Sequence, residues 1–190
     1  MKFKYHQLPT LENNNDDAYR MLEYTYMRQC MFGGDYNQAQ IFIGGKLVGS
    51  TSITLGVVEE AYYALKANLP VYLIGAFGGV AGALAQLFME GEAPLLEYHL
   101  KEHNQELGLE AYQAYVDGAA KLWKETPEQL EERLHYQPLK TYFLQAWKQP
   151  NPLNNGLTKE ENQILFKSQN ILEITRLILK GLSNVLGNKS

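Results

Sequence analysis

The chain is poor in cysteine and arginine, and it has no concentrated charge of either sign. Its 190 residues include one cysteine, Cys30, so no disulfide can form within the chain. A chain without disulfides is typical of a reducing compartment, and we expect a cytoplasmic protein. The 17 basic and 21 acidic residues give a formal net charge of −4. No basic stripe is present, which argues against nucleic-acid binding.

A secretory signal is also lacking, because the first residues, MKFKYHQLPTLENNNDD, contain no apolar core segment. Residues 1–16 are polar and rich in asparagine, and we interpret them as an N-terminal arm. The remaining residues, 17–190, are enough for one compact domain. Cys30 lies on an apolar predicted helix and is predicted to be buried in the core.

The longest uncharged run, residues 67–89, is long enough for a membrane span, which needs about 20 apolar residues. Its composition argues against a span, since four glycines interrupt it and no Lys/Arg cluster flanks it. Val71–Ile74 has the β-branched and aromatic character of a strand. From Gly79 onward the apolar residues recur at helical spacing. The run therefore predicts a strand, a glycine turn and a helix.

A similar unit lies just upstream. The apolar segment Ala39–Ile43 predicts a strand that ends at a glycine pair, and a helix with a buried apolar face follows residues 46–54. Together the two units predict a right-handed βαβα arrangement with parallel strands. A nearly continuous apolar strand suits a parallel sheet that is covered on both faces. In such open sheets ligands bind outside the carboxyl ends of the strands. Two glycine loops lie there, 44-GGK-46 after the first strand and 75-GAFGG-79 after the second.

Most of the other segments predict helices. Ala18–Met31, Glu110–Lys124 and Ile171–Val185 carry apolar residues at helical spacing, and the last is a long C-terminal helix. Thr126 and Thr158 each begin a capping sequence. Residues 92–150 are predicted to form a helical insert within the domain.

The predicted sheet is small. Ile164–Phe166 is predicted as a third strand, and only Met1–Tyr5 offers a strand before Ala39. A doubly wound sheet normally begins with a strand and its own phosphate-binding turn. The predicted fold class is therefore α/β, with a Rossmann-like parallel sheet that is incomplete, flanking helices, a helical insert and a long C-terminal helix.

The glycine loops are candidate ligand-binding segments. Glycine lets the backbone approach a ligand and direct N–H groups at phosphate oxygens, and the following helix adds a favourable dipole. Lys46 would add a cation and Phe77 a stacking face. Neither loop has G-x-G-x-x-G or Walker A spacing, so turns that bind nothing are the alternative.

Glu59 and Glu60 lie in the first turn of the helix after Leu55-Gly56. Acidic residues in a first turn stabilise a helix through its dipole, which is the simplest explanation for both. The functional alternative is a carboxylate that binds ribose hydroxyls or acts on a glycosidic bond.

The segment 99-HLKEH-103 matches the H-x-x-E-H zinc pattern through His99, Glu102 and His103. Histidines at i and i+4 share a helix face and can chelate one metal, with the glutamate as base. A third ligand would have to come from Glu160 or Glu161. Such a short match arises easily by chance, so we favour a solvated helix face and predict no metal.

The segments 39-AQIFIGGKLVG-49 and 55-LGVVEEAYYALKANLPVYLIGAFGGVAGALAQLF-88 resemble the SLOG superfamily. This group joins LOG-type cytokinin-activating hydrolases, DprA-like proteins and the cytosolic sensor domain of TRPM channels. The strongest likeness is to SLOG domains of prokaryotic antiviral defence systems. The segment 26-YMRQCM-31 is similar to a Met-Arg helix that these domains often carry, and residues 157–182 are similar to their usual ending.

The resemblance implies a sensor domain that binds a nucleotide, in particular an NAD-derived signal such as a cyclic ADP-ribose isomer. It implies that Glu59 or Glu60 meets a ribose and that Arg28 supplies charge. It also implies a ligand-binding set formed by the loops: Gly44, Gly45, Lys46, Gly49, Phe77, Gly78 and Gly79. We expect no required cofactor, no membrane, and a homo-oligomer or an effector partner.

Two other functions stay open. One is a nucleoside or nucleotide N-glycosidase, or a deoxyribosyltransferase-like enzyme, with Glu59 or Glu60 as the working carboxylate. Phosphoribohydrolase chemistry is disfavoured because the Pro-Gly-Gly-x-Gly-Thr-x-x-Glu motif of the hydrolase branch is absent. The other is an interaction module that has kept the fold and lost the pocket.

Overall fold

The computed structural model describes residues 16–32 and 37–187. Its sheet consists of two parallel strands, β1 (Gln40–Ile43) and β2 (Val71–Ile74). They pair in register, from Gln40 against Val71 to Ile43 against Ile74. Among the described residues no third strand joins them, so the sheet is incomplete, as predicted. The fold is a mostly helical α/β arrangement consistent with the Rossmann-like class.

Helices pack on both faces of this sheet, and they bury β2 but leave Ile41 and Ile43 of β1 about half exposed. Their bounds are α1 (Asp16–Phe32), α2 (Gly56–Lys66), α3 (Gly79–Glu90), α4 (Pro94–Leu107), α5 (Leu109–Trp123), α6 (Pro127–Leu134), α7 (Tyr136–Lys148), α8 (Lys159–Lys167) and α9 (Ile171–Gly187). Short 3₁₀ turns lie at Gly75–Phe77 and Pro152–Asn154. The helical insert and the long C-terminal helix are thus confirmed.

The uncharged run, residues 67–89, has the structure that its glycine pattern predicted. It becomes strand β2, a 3₁₀ turn and helix α3, and the preceding unit supplies β1 and α2, with parallel strands. A search of the described helices finds none with both the length and the apolar character that a membrane crossing needs.

Strand β2 is buried along its whole length because helices cover both of its faces. Side chains alternate along a strand. Val71 and Leu73 join the main apolar core with helices α2, α3 and α7, whereas Tyr72 and Ile74 join a smaller cluster with α8 and α9. This two-sided burial explains why the segment contains no polar residue.

The insert helices α5 and α6 pack with α1 in a third apolar cluster. Its buried members include Met21 and Leu22 of α1, Tyr115 of α5 and Leu130 of α6. Ile53, from the loop between β1 and α2, is buried in the same cluster, while Leu55 of that loop lies in the main core. The end of the loop is therefore held between two cores.

The prediction of a strand at Ile164–Phe166 is wrong, because these residues lie within helix α8. Thr158 and Glu161 form the capping box that begins this helix, and Thr126 and Gln129 form another at α6, as predicted. Leu165 and Phe166 are buried while Ile164 is exposed, which fits a helix face. A three-residue apolar run does not by itself distinguish a strand from a helix.

The prediction that Cys30 is buried is also wrong, since its side chain is exposed on α1. Helix α1 buries a narrower face than its composition suggested, with Met21, Leu22 and Thr25 turned inward. The predicted N-terminal arm, except for Asp16 at the start of α1, lies outside the described residues, as does the strand considered at Met1–Tyr5. The division into an arm and a single domain stays a prediction.

Candidate functional site

The two glycine loops lie at the carboxyl edge of the sheet and contact each other. The N–H of Val80 donates to the carbonyl of Gly45 at 3.1 Å, and the N–H of Ala81 donates to the carbonyl of Gly44 at 2.7 Å. These are among the first amides of α3, which have no acceptor inside the helix. The first amides of α3 could have bound a phosphate. They donate instead to the neutral carbonyl groups of Gly44 and Gly45 in the loop after β1.

Gly79 makes the contact between the loops possible. Its φ is +63°, and a Cβ at this position would lie 2.3 Å from the carbonyl oxygen of Gly45. Gly45 is also packed closely, since its Cβ would lie 2.8 Å from a methyl of Val57. By contrast, a Cβ at Gly44, Gly49 or Gly78 would meet nothing within 4 Å. Packing therefore explains Gly45 in the first loop and Gly79 in the second, whereas Gly44, Gly49 and Gly78 border open space.

Lys46 and Phe77 extend from the joined loops. The side chain of Lys46 is exposed, and that of Phe77 is 53% exposed. Val48, in the loop after β1, is also exposed. The carboxyl edge thus presents a cation and an aromatic ring, each on one of the two loops that the Gly45–Val80 hydrogen bond links.

Arg28 of α1 lies at the amino-terminal end of α2. Its Nη1 donates to Glu59 Oε2 at 2.9 Å and to Ser52 Oγ at 3.0 Å, and its Nε donates to Glu60 Oε1 at 3.3 Å. Nη2 points at the start of α2, where it would lie 2.7 Å from a Cβ on Gly56. A guanidinium beside a helix amino terminus combines two positive electrostatic contributions. An anion is favoured at this position.

The two glutamates of α2 differ in accessibility. Glu59 is 1% exposed, and its carboxylate accepts from Thr25 Oγ1 at 2.7 Å as well as from Arg28. Oε1 of Glu59, the oxygen that accepts from Thr25, also lies 3.6 Å from Arg133 Nη1. The Glu60 side chain is 27% exposed and contacts Arg28 from the solvent side. Of the two carboxylates, that of Glu60 is the one accessible to a ligand.

Arg133 is a buried member of the site that the sequence did not suggest. It comes from α6 and binds Glu125 through Nε at 3.2 Å and Nη2 at 2.7 Å. Its guanidinium lies 5.4 Å from the centre of the Tyr115 ring. Burial acts to lower the pKa of Arg133, but Tyr115, Tyr63 and Glu125 hold it well above its ordinary value. Arg133 thus stays charged and completes a network with Glu59 and Arg28.

Tyr115 also belongs to this network. Its hydroxyl lies 2.9 Å from Thr25 Oγ1, which donates to Glu59. Burial raises the pKa of Tyr115 well above its ordinary value, so the phenol is neutral at physiological pH. Burial likewise raises the pKa of Tyr62, Tyr63 and Tyr72, which are buried, and of Tyr112, which is half-buried.

The residues of the zinc pattern lie on helix α4 without forming a metal site. The Nε2 of His103 lies 2.8 Å from the carbonyl oxygen of Ser52, to which the ring N–H donates. His103 is 5% exposed, so the expected solvated face is wrong for this residue. Glu161 is engaged in the α8 capping box. Across residues 16–32 and 37–187 no group of three candidate ligands could hold a metal ion.

A cleft of about 880 Å³ lies elsewhere, between the end of α7, the start of α8 and α9. Its lining includes Lys148, Asn151, Lys159 and Asn184. The neighbouring Asn155 donates from Nδ2 to the carbonyl of Val71 at 2.7 Å, which places this region at the amino end of β2. The cleft is thus at the opposite edge of the sheet from the glycine loops, and it is open and unlike an enclosed ligand pocket.

Comparison with known families identifies the chain's relatives. Residues 4–165 match the sequence model of the family described as SLOG cluster2, which covers well over half of the chain. The chain belongs to the SLOG family. The resemblance carried by residues 39–49 and 55–88 is thus confirmed. No significant match was found among curated proteins or among solved structures. The SLOG match ends inside α8, so helix α9 lies beyond it.

Proposed function

We propose that this SLOG domain binds a nucleotide-derived ligand of the NAD or ADP-ribose type and acts as a sensor. The supporting observation is the guanidinium of Arg28 at the start of α2. Family membership supports the coarser statement, a nucleotide-related Rossmannoid module. The proposed site is the carboxyl edge of the sheet, between the glycine loops and the amino terminus of α2.

The phosphates of the ligand would lie at α2. The first amides of a helix lack intrahelical acceptors, and Arg28 Nη2 is directed at this end. Gly56 allows this approach of Arg28, because a Cβ at Gly56 would lie 2.7 Å from Nη2. The corresponding end of α3 is occupied by the carbonyls of Gly44 and Gly45, which is why we assign the anion to α2.

The rest of the ligand would extend over the joined loops. Lys46 provides a second cation, and the exposed ring of Phe77 provides a stacking face for a base. The open positions Gly44, Gly49 and Gly78 allow close approach of the ligand, whereas Gly45 and Gly79 hold the loops together. Glu60 is placed to meet a ribose hydroxyl.

An enzyme is the second candidate. A glycosidase needs a carboxylate about 3–3.5 Å from the reacting sugar carbon. Glu59 is buried against Arg28 and the neighbouring Arg133, so Glu60 is the candidate for this role. A third candidate is an interaction module without a ligand. It is supported by the first amides of α3, which donate to carbonyls of the protein and so are not available to a phosphate. We favour the sensor because the buried charged residues of the site, Arg28, Glu59 and Arg133, are fixed in ion pairs with one another.

A sensor must transmit its state to another protein or domain. On the sequence resemblance to defence-associated domains, we propose an effector partner, self-association and a role in prokaryotic antiviral defence, in the cytoplasm. No cofactor is required by this function, because binding of the ligand is itself the signal.

The test is calorimetric titration of the purified chain with ADP-ribose, its cyclic isomers, NAD and AMP, followed by chromatography of the mixture. We expect saturable binding of one of these ligands, recovered intact. Lys46→Ala and Phe77→Ala should each weaken binding about tenfold, which corresponds to about 1.4 kcal/mol. Lys101→Ala, an exposed lysine of α4, is the matched control and should bind normally.

Other outcomes separate the candidates. Release of free base, abolished by Glu60→Gln, would make the domain a glycosidase. No heat with any nucleotide would overturn both ligand-based functions and leave the interaction module. Thermal unfolding of each variant checks that the exposed substitutions leave the fold intact.

A further inference from the structure

The buried carboxylate of Glu59 lies between two arginines that come from different parts of the domain. Its Oε2 accepts a hydrogen bond from Arg28 Nη1 at 2.9 Å, and its Oε1 lies 3.6 Å from Arg133 Nη1. Arg28 belongs to α1, whereas Arg133 belongs to α6 of the helical insert. One carboxylate therefore bonds an arginine of the proposed ligand site and lies close to an arginine of the insert.

Arg133 has one side-chain nitrogen without a hydrogen-bond acceptor. Its Nε and Nη2 donate to the two carboxylate oxygens of Glu125, at 3.2 and 2.7 Å. Its Nη1 is buried, and within residues 16–32 and 37–187 it has no hydrogen-bond partner. A buried charged donor without an acceptor costs free energy. Movement of the Glu59 carboxylate toward this nitrogen would remove that cost.

The movement that this bond requires is small. An N–H···O hydrogen bond is typically about 2.9 Å long, so Glu59 Oε1 is only about 0.7 Å too far from Arg133 Nη1. The bond from Arg28 holds the carboxylate in its present position. Two arrangements are thus close in geometry, one in which Glu59 bonds Arg28 and one in which it bonds Arg133.

An anion at Arg28 would shift the balance between these arrangements. Arg28 Nη2 is directed at the start of α2, next to Gly56. An anion bound there would partly neutralise the guanidinium, so the attraction between Arg28 and Glu59 would fall. Arg133 would keep its charge, and the carboxylate of Glu59 would be drawn toward it.

We propose that Glu59 is a charge switch that couples the anion site at α2 to the helical insert. Without an anion, Glu59 bonds Arg28. With an anion bound to Arg28, Glu59 bonds Nη1 of Arg133 instead. The inference rests on the proposed function, since it takes the anionic ligand to bind at Arg28, and it adds the segment that responds to the ligand.

Helices α5 and α6 of the insert would both sense this movement. The ring of Tyr115 on α5 lies 5.4 Å from the guanidinium of Arg133, and its hydroxyl lies 2.9 Å from Thr25 Oγ1. Thr25 donates in turn to Glu59 Oε1 at 2.7 Å. Movement of this oxygen toward Arg133 therefore changes the contacts of Tyr115 as well as those of Arg133.

A second connection between Arg28 and the insert runs through Ser52. The Ser52 hydroxyl accepts from Arg28 Nη1 at 3.0 Å, and its carbonyl oxygen lies 2.8 Å from Nε2 of His103 on α4. Ser52 is buried, so solvent does not interrupt this path. Two partners of Arg28, Glu59 and Ser52, thus lead to helices of the insert.

A double-mutant cycle tests whether the two arginines share Glu59, and it needs no ligand. Arg28→Gln and Arg133→Gln each leave the carboxylate with one cation, but the double variant leaves it with none. The unfolding constant of the double variant should exceed the product of the two single effects by about tenfold or more, because an unpaired buried charge is costly. Arg20→Gln is the matched control, since this α1 arginine is 56% exposed. Its effect should simply multiply with that of Arg133→Gln.

A third substitution keeps the cycle decisive if the double variant fails to fold. Glu59→Gln, added to Arg28→Gln and Arg133→Gln, removes the unpaired carboxylate. The triple variant should therefore be more stable than the double variant. A triple variant that is no more stable would overturn the proposal, and so would single effects that multiply without any excess.

Nitrogen-15 NMR of the Arg133 side chain tests the movement itself. Rotation about the Cζ–Nη1 bond should slow about tenfold when Nη1 gains Glu59 as an acceptor. We expect this slowing in Arg28→Gln without ligand, because the substitution removes the competing cation. We also expect it in the wild-type chain, saturated with whichever nucleotide of the calorimetric series binds.

The outcomes separate this switch from the proposed function. A nucleotide that binds without slowing the rotation overturns the switch and leaves the ligand site standing. If none of ADP-ribose, its cyclic isomers, NAD and AMP binds, the proposed function is overturned. The rotation in Arg28→Gln still decides the switch in that case, since an unchanged rate means that Glu59 does not move to Arg133.

Discussion

The carboxylate of Glu59 lies 2.9 Å from Nη1 of Arg28, and both side chains are almost completely buried. This ion pair holds the guanidinium of Arg28 at the start of α2, where we place the anionic end of the ligand. The same carboxylate also faces Arg133, so it balances the positive charges of Arg28 on α1 and of Arg133 in the helical insert. The position of Arg28 thus depends on a residue that solvent does not reach.

Glu59→Gln should destabilise the fold strongly. Removing one member of a buried ion pair costs about 3–5 kcal/mol, because the remaining charges lose their partner. Here Arg28 and Arg133 would be left facing a neutral amide. Glu60→Gln is the control, since its ion pair is partly exposed and contributes about 1 kcal/mol or less. Urea unfolding measures both, and equal effects would contradict the described burial.

Gly79→Ala should separate the glycine loops. Its new methyl would lie 2.3 Å from the carbonyl oxygen of Gly45, in addition to adopting a positive φ. Gly49→Ala also has a positive φ, but its methyl meets nothing within 4 Å. We expect Gly79→Ala to cost about 1–3 kcal/mol more than Gly49→Ala in urea unfolding, which is the cost of overpacking. Equal costs would mean that the loops do not touch.

Thr158→Ala should weaken the start of helix α8. The Thr158 hydroxyl accepts from the N–H of Glu161 at 3.2 Å, and loss of such a cap costs about 1 kcal/mol. Thr141→Ala is the matched control, since the Thr141 hydroxyl only donates to a carbonyl within its own helix. It should change the free energy of unfolding by less than about 0.5 kcal/mol.

Stability should fall in acid partly through Glu161. Its contact with Lys180 and its bond from the backbone of Thr158 lower the pKa of the Glu161 carboxyl below its ordinary 4.5. A carboxyl whose pKa is lower in the folded state than in the unfolded state stabilises the fold at pH values above its unfolded-state pKa. This contribution is lost as the pH falls through its folded-state pKa. The stability difference between wild type and Glu161→Gln should therefore shrink below pH 4.5. A difference that stays constant in acid would exclude this contribution.

Alkaline unfolding should follow from the buried tyrosines. Burial raises the pKa of Tyr72 to about 12, from an ordinary value of 10.0. A raised pKa stabilises the fold fully below pH 10, and this contribution is lost as pH rises towards 12. Tyrosinate absorbance should thus include a step that coincides with loss of helical circular dichroism. Complete ionisation before any loss of helix would contradict the burial of Tyr72.

Local patterns predicted the central elements because their signals are short-range. The apolar segments at β1 and β2 end in glycines, and the capping boxes at Thr126 and Thr158 fix the starts of α6 and α8. The strand predicted at Ile164–Phe166 is instead part of α8, because the capping box of Thr158 and Glu161 begins a helix a few residues before this short apolar run.

The buried ion network could not be predicted from the sequence. Arg28, Glu59 and Arg133 come from three helices, and no spacing rule links residues so far apart in the chain. The acidic pair at Glu59 and Glu60 was visible as a first-turn pattern, but its unequal burial depends on how α1 packs on α2. The exposure of Cys30 depends on the same packing.

The exposed thiol of Cys30 gives this protein a natural attachment point for a spectroscopic probe. It is the chain's one cysteine, so a thiol reagent labels a single position without any substitution. Cys30 lies two residues from Arg28 on α1. Residues two apart lie on opposite sides of a helix, so a fluorophore coupled there would leave the contacts of Arg28 undisturbed. It would report on a movement of helix α1, and ligand screening could proceed on the otherwise unaltered chain.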